Sequence, residues 1–120
     1  MNKKILFVDD EPDVLKVATF RLKKAGYEVV TAVNGKEALE LVKKEKFGLI
    51  FLDLRLPFID GMQVCTTIKS DENTRAMPVI LFTASLNDLE KRVKECNAQG
   101  YLLKPFEPQQ LLDMVKKVLG

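Results

Sequence analysis

Four apolar runs of this 120-residue chain end in residues that could do chemistry together. The first closes Val8-Asp9-Asp10-Glu11 and the second Leu52-Asp53-Leu54-Arg55-Leu56-Pro57. The third closes Phe82-Thr83-Ala84 and the fourth Leu103-Lys104-Pro105-Phe106. Carboxylates brought within a few ångströms of each other repel, and one tends to keep its proton unless a cation intervenes. Mg²⁺ suits that role, because it takes one or two carboxylates, keeps several waters and leaves room for a phosphate oxygen. Asp10 and Asp53 could supply the carboxylates, with Asp9 acting through water. A lysine such as Lys104 beside the metal suits a phosphoryl group. The Thr83 hydroxyl can donate to a further phosphoryl oxygen. Asp53 then has a role as nucleophile, since carboxylates form aspartyl-phosphates. Ca²⁺ fits less well, because no loop here supplies six or more oxygens in the manner of an EF-hand.

Each residue alone has an ordinary explanation. An Asp after a strand is commonly a turn former or a helix cap. Thr83 could be an N-cap, Lys104 a solvated charge and Tyr101 plain core. The informative feature is that chemistry-bearing residues recur at the same kind of place, so the elements that position them decide the matter.

Apolar, β-branched runs lie at about Lys4–Val8, Glu28–Ala32, Leu49–Leu52, Val79–Phe82 and Tyr101–Leu103. They are short and mostly unalternating, which predicts strands buried on both faces. Helical spacing fills the gaps. Val14, Ala18, Leu22 and Ala25 form one stripe after Pro12, with Gly26 as its stop. Asn34 and Glu37 have capping-box spacing before Ala38, Leu41 and Val42. Asp60 and Gln63 give a similar start before Val64, Cys65 and Ile68. Leu86, Leu89, Val93 and Cys96 form a fourth stripe, and Pro108 opens a last helix carrying Leu111, Leu112, Val115, Val118 and Leu119. Five strands alternating with five helices define an α/β domain with a doubly wound parallel sheet. In such folds ligands bind in the crevice beyond the carboxyl ends of the strands. All four chemical segments end there.

The length suits one domain with a real core, and the expected domain is residues 1–120. The longest apolar runs, such as Ile5–Val8 and Leu49–Leu52, are four residues, too short to span a bilayer. Lys3 and Lys4 precede an apolar run, as in a signal peptide, but Asp9, Asp10 and Glu11 cut it short. A cytoplasmic location is expected, with no membrane contact. A net charge of +2, with basic residues scattered, gives no footprint for nucleic acid. Cys65 and Cys96 form no C-x-x-C, and buried or half-buried free thiols are expected. The absence of histidine removes Ser-His-Asp and Cys-His catalysis and any His-ligated metal. Val17 and Phe20 lie off the main stripe of the first helix. They are ordinary core or a docking surface for a histidine-bearing helix bundle.

The ordered set of motifs resembles response-regulator receiver domains of two-component signalling, over about Lys3 to Leu119. Asp-Asp follows strand one, Asp-Leu-x-Leu-Pro closes strand three, Thr-Ala strand four and Lys-Pro-Phe strand five. Asp60-Gly61 and Tyr101 also match the pattern. The resemblance implies a flavodoxin-like (βα)5 fold with strand order 2-1-3-4-5. It implies that Asp53 accepts a phosphoryl group from a phosphohistidine on a sensor histidine kinase or histidine phosphotransfer protein. Asp9 and Asp10, with Asp53 and the Arg55 backbone carbonyl, would hold Mg²⁺. Thr83 and Lys104 would contact the phosphoryl oxygens, and the Lys104–Pro105 peptide would be cis. Thr83 and Tyr101 would form a switch that reshapes the face of helix four, strand five and helix five for a partner or output domain. Phe58 departs from the pattern, standing where many relatives have glycine or another small residue. Arg55 occupies a variable position, from which its guanidinium could reach the phosphoryl group and alter the lifetime of the phosphorylated state.

Two rivals belong to other classes. A small phosphohydrolase of the haloacid-dehalogenase kind would need a second Asp two residues after the nucleophile, where this chain has Arg55. A flavin carrier on the same sheet would need a Ser-, Thr- or Gly-rich loop after strand one, where this chain has Asp9-Asp10-Glu11-Pro12. The expectation is a switch rather than an enzyme, its only chemistry being its own phosphorylation and dephosphorylation. Both a free-standing protein and the receiver part of a longer regulator are compatible with these residues.

Overall fold

The computed structural model describes residues 2–84 and 89–120. Strands β1 (Lys4–Val8), β2 (Glu28–Ala32), β3 (Leu49–Asp53), β4 (Val79–Thr83) and β5 (Gly100–Leu103) alternate with helices α1 (Pro12–Lys24), α2 (Gly35–Lys44), α3 (Gly61–Ser70), α4 (Leu89–Cys96) and α5 (Pro108–Leu119). The strands form one parallel sheet in the order β2-β1-β3-β4-β5. Leu86, expected at the head of the fourth helical stripe, lies outside the described residues.

Local chemistry explains the helix ends. Asn34 accepts a hydrogen bond from the Glu37 N–H at 2.8 Å, and Asp60 accepts one from Gln63 at 2.9 Å. Side-chain oxygens thereby satisfy N–H groups that a helix start leaves orphaned. Pro12 and Pro108 occupy first turns, where their missing N–H costs nothing. The stripe on α1 stops at Leu22, not at Ala25. Ala25 caps the helix in the open, and the chain reverses at Gly26 with φ +98, a conformation that glycine adopts freely.

Alternation of side chains along each strand splits the core in two. Ile5, Phe7, Leu49, Phe51, Ile80 and Phe82 face α1 and α5, whose Ala18, Leu22, Leu111 and Val115 cover them. Leu6, Val8, Ile50, Leu52, Val79 and Leu81 face the side of α2, α3 and α4. The central β3 and β4 are buried at every residue, as their unalternating sequences predict. The edge strands differ from that expectation. Glu28 and Thr31 of β2 are exposed, and β5 is mostly half-buried, because each has a neighbour on one side only.

Candidate functional site

The register of the sheet builds the site. Val8 pairs with Leu52, so Asp9 and Asp53 stand in the next rung of adjacent strands. Asp53 pairs with Phe82, and Thr83 with Leu103. β3 and β4 each run one residue further than their apolar runs, because the ladder continues through Asp53 and Thr83. The Lys104 N–H donates to the Thr83 carbonyl at 2.8 Å, which extends the last ladder to the lysine. The Lys104–Pro105 peptide is cis, as expected.

Backbone donors orient two of the carboxylates. Asp9 Oδ1 accepts from the Glu11 N–H, and Asp53 Oδ1 from the Arg55 N–H, each at 2.9 Å. The second oxygens, Asp9 Oδ2 and Asp53 Oδ2, lie 2.8 and 2.9 Å from Lys104 Nζ. Glu11 reaches the same ammonium at 3.0 Å. Asp9 and Asp53 are buried, whereas Asp10 and Glu11 are exposed. One carboxylate oxygen from each of the four acids lies within 4.8 Å of the others. Asp10, Glu11, Asp53, Arg55, Thr83, Ala84 and Lys104 line a single cleft of about 310 Å³.

The electrostatics are those of an under-compensated anionic pocket. Burial raises the Asp9 carboxyl above its ordinary range, against the lowering effect of Lys104, and the charge of Asp53 raises it further. Burial would lower the Lys104 ammonium, but contacts with Asp9, Asp53 and Glu11 outweigh it and hold the group above the usual lysine range. Asp9 Oδ2 pairs with Lys104 by charge but accepts no well-directed hydrogen bond, although it is fully buried. A buried acceptor left in that state is costly. Four clustered acids around one ammonium fit a hard divalent cation with oxygen ligands.

All the expected chemical residues thus meet at one edge of the sheet. Thr83 is buried at the cleft wall. Tyr101 pairs with Leu81 two residues below Thr83, on the same face of the sheet, and is half-buried against the α2–α4 side. Sequence reasoning assigned no role to Glu11 or Phe82. Glu11 is a direct partner of Lys104, and the Phe82 ring lies 5.0 Å beneath its ammonium, a favourable cation–aromatic contact. The signal for Phe82 was its place beside Thr83 on the face shared with Asp53. Gly61 also has a structural reason: a Cβ there would sit 2.3 Å from the Asp53 carbonyl oxygen. Phe58, in the loop between β3 and α3, is 91% exposed and has φ 72. Val17 and Phe20 are not core: they are 51% and 59% exposed.

A fold of this order with acids, hydroxyl and lysine at these strand ends defines a receiver. The chain belongs to the response regulator receiver domain family, whose sequence pattern matches residues 5–116. It is 38% identical over 120 residues to the alkaline phosphatase synthesis transcriptional regulatory protein PhoP of Bacillus subtilis, covering 99% of this chain and 49% of that one. The chain therefore spans about half the length of the curated relatives it matches. The chemotaxis response regulator CheY4 of Vibrio cholerae superposes with a TM-score of 0.92 at 30% identity, covering 98% of this chain and 99% of that one. The receiver domain of the sensor histidine kinase PA1611 from Pseudomonas aeruginosa, with magnesium coordinated in its active-site cleft, superposes with a TM-score of 0.91 at 29% identity. That match covers 100% of this chain and 99% of the other. Among the described residues no helix is long and apolar enough to cross a membrane.

Proposed function

We propose that this chain is a Mg²⁺-dependent phosphoacceptor switch that takes a phosphoryl group onto Asp53 from a phosphohistidine. The observation that carries this reading is the contact of Lys104 with both Asp9 and Asp53, at a cleft that Lys104 and Asp53 line. Asp53 Oδ1 is held by the Arg55 N–H, which leaves Oδ2 as the attacking atom. Attack forms the Oδ2–P bond, and the P–N bond to the donor imidazole breaks. Lys104 then moves from the carboxylate to the new phosphoryl oxygens, a short transfer for a flexible ammonium. The Thr83 hydroxyl donates to another of those oxygens. Asp9, Asp10 and Asp53, with the Arg55 carbonyl, would hold Mg²⁺, which when bound supplies positive charge against the transferring group.

The switch follows from the shared face of Thr83 and Tyr101. When Thr83 is drawn toward the phosphoryl group, Tyr101 turns into the space beside it, and the surface of α4, β5 and α5 changes. That surface serves a protein target or output domain. The partner supplying phosphate is a histidine kinase or phosphotransfer protein, for which exposed Val17 and Phe20 on α1 offer apolar contact. The chain itself is not a turnover enzyme, and neither nucleic acid nor membrane is engaged through these residues. A cytoplasmic location follows from that partnership. Arg55, exposed and lining the same cleft, tunes how long the phosphorylated state lasts.

The test is incubation with acetyl phosphate, with and without Mg²⁺, followed by intact mass measurement. The parent should gain one phosphoryl group only with Mg²⁺, and Asp53→Asn should gain none. No gain on the parent refutes the reading; steady turnover of a phosphate ester would replace it with the phosphohydrolase. An Arg55→Ala protein with an unchanged dephosphorylation rate removes the role given to Arg55.

A further inference from the structure

Cys65 and Cys96 are 31 residues apart in sequence, yet they meet at the seam between α3 and α4. Both are free thiols with essentially no exposure. The Cys65 thiol donates to the Cys96 carbonyl oxygen at 3.3 Å, and the Cys96 thiol to the Val93 carbonyl oxygen at 3.9 Å. Neither residue belongs to the cleft described above. Packing explains one buried cysteine as a small hydrophobe. It does not require two buried thiols from different helices to share one seam.

We propose that Cys65 and Cys96 are an oxidation site, closing to a reversible disulfide in response to a hydroperoxide and thereby tethering α4 to α3. A Cys65 sulfur seated 3.3 Å from the Cys96 backbone reaches the Cys96 side chain by rotation of the two side chains and a backbone adjustment. Cys96 is the attacking group. The hydrogen bond from Cys65 brings its thiol down to about 7 despite burial, with the nearby Lys69 ammonium contributing. Cys65 is pushed the other way, first by that hydrogen bond and then by burial. The Cys96 thiolate attacks a peroxide oxygen, the O–O bond breaks, and the leaving alkoxide or hydroxide takes a proton. The product is Cys96 sulfenic acid. The Cys65 sulfur then attacks the Cys96 sulfur, the S–O bond breaks, and hydroxide leaves with the Cys65 proton as water. Two thiols and one hydroperoxide thus give one disulfide, one alcohol (or water) and one water.

Access comes through α4. Among its described residues, only Leu89 and Cys96 are fully buried. A helix held by so few buried side chains opens at lower cost than the central strands. The bond itself is independent of the role of Asp53. Its consequence, a face of α4, β5 and α5 that no longer responds to phosphorylation, rests on that role.

The experiment treats the full chain with hydrogen peroxide under non-reducing conditions and follows intact mass and peptide maps. The expected product is a monomer lacking two hydrogens, with a Cys65–Cys96 linked peptide that dithiothreitol reverses. Cys65→Ser should stop at a sulfenic acid trapped by dimedone, and Cys96→Ser should react about tenfold more slowly or not at all, having lost the thiolate. Recovery of both thiols unmodified, a stable gain of oxygen on the parent without a cross-link, or a cross-link between copies overturns the proposal. Acetyl phosphate and Mg²⁺ are then given to both forms. Equal phosphoryl gain, with altered amide exchange of α4 in the reduced form only, supports the tether. Absence of gain in both forms counts against Asp53 and leaves the disulfide standing. An equal α4 response in both forms removes the tether.

Discussion

Asp9 and Asp53 occupy the same rung of neighbouring strands, one step past the paired Val8 and Leu52, and a single ammonium joins them. The parallel ladder therefore sets the separation of the two buried carboxylates before any ligand arrives. Their repulsion is held in check by Lys104 on one side, and the arrangement is short of positive charge on the other.

Removing the metal should expose that shortage as a pH dependence. The folded carboxyl of Asp9 lies above its unfolded value, chiefly through burial. A raised folded value means that the native state holds the proton more tightly. The stabilisation is complete below the unfolded value of about 4 and is lost as pH rises through the folded one. The raised Lys104 contributes in the same sense, but its loss falls above the ordinary lysine range. Metal binding displaces the Asp9 proton, so the gain in melting temperature from saturating Mg²⁺ over chelator should be larger at pH 7 than near pH 4. At a hundredfold excess over the dissociation constant that gain corresponds to about 2.7 kcal/mol. An equal gain at both pH values contradicts the site.

Lys104→Ala should lower metal-free stability by about 2 kcal/mol, the scale of a lost charged hydrogen bond in a buried site. The variant strips Asp9, Glu11 and Asp53 of their shared cation and Phe82 of the charge above its ring. Mg²⁺ should restore part of the loss, and phosphoryl uptake should still be slow. Urea unfolding with and without Mg²⁺ measures the first effect, and the rate of mass gain from acetyl phosphate the second. Unchanged stability in chelator would mean that Lys104 is merely solvated.

Gly61→Ala should destabilise by about 2 kcal/mol, a cost typical of overpacking. The added methyl would meet the Asp53 carbonyl oxygen at 2.3 Å and Leu54 Cα at 2.7 Å, and neither is a flexible side-chain end. Because the clash moves the backbone of Asp53, the rate of phosphoryl gain should fall with stability. A thermal melt and an acetyl phosphate time course on the same sample test both parts.

Phe58→Gly should stabilise the chain by about 1 kcal/mol, since φ 72 is disfavoured for a residue with a Cβ. Little packing is lost, because the side chain is 91% exposed. Phosphorylation by acetyl phosphate should not change. Denaturant midpoints settle the sign, and a loss of stability would show that the ring makes contacts its exposure conceals.

The local reading of the sequence reached far. Strand positions, Asn34 and Asp60 as caps, and the segments that end at the ligand edge follow from period and end chemistry, which neighbouring residues determine. Periodicity states which side of its own element a residue takes, and little about what lies opposite. It could not show that β2 is an edge with Thr31 exposed, that Val17 and Phe20 stay outside the core, or that Glu11 and Phe82 serve Lys104. The meeting of Cys65 with Cys96 is of the same kind. The sequence by itself determined the elements, the two-faced core and the inventory of chemical groups. The family resemblance already implied the strand order 2-1-3-4-5; tertiary structure decided the register, and with it the distances between Asp9, Asp53 and Lys104. Those distances come from pairing between segments dozens of residues apart, and no local pattern of polar and apolar residues encodes such pairing.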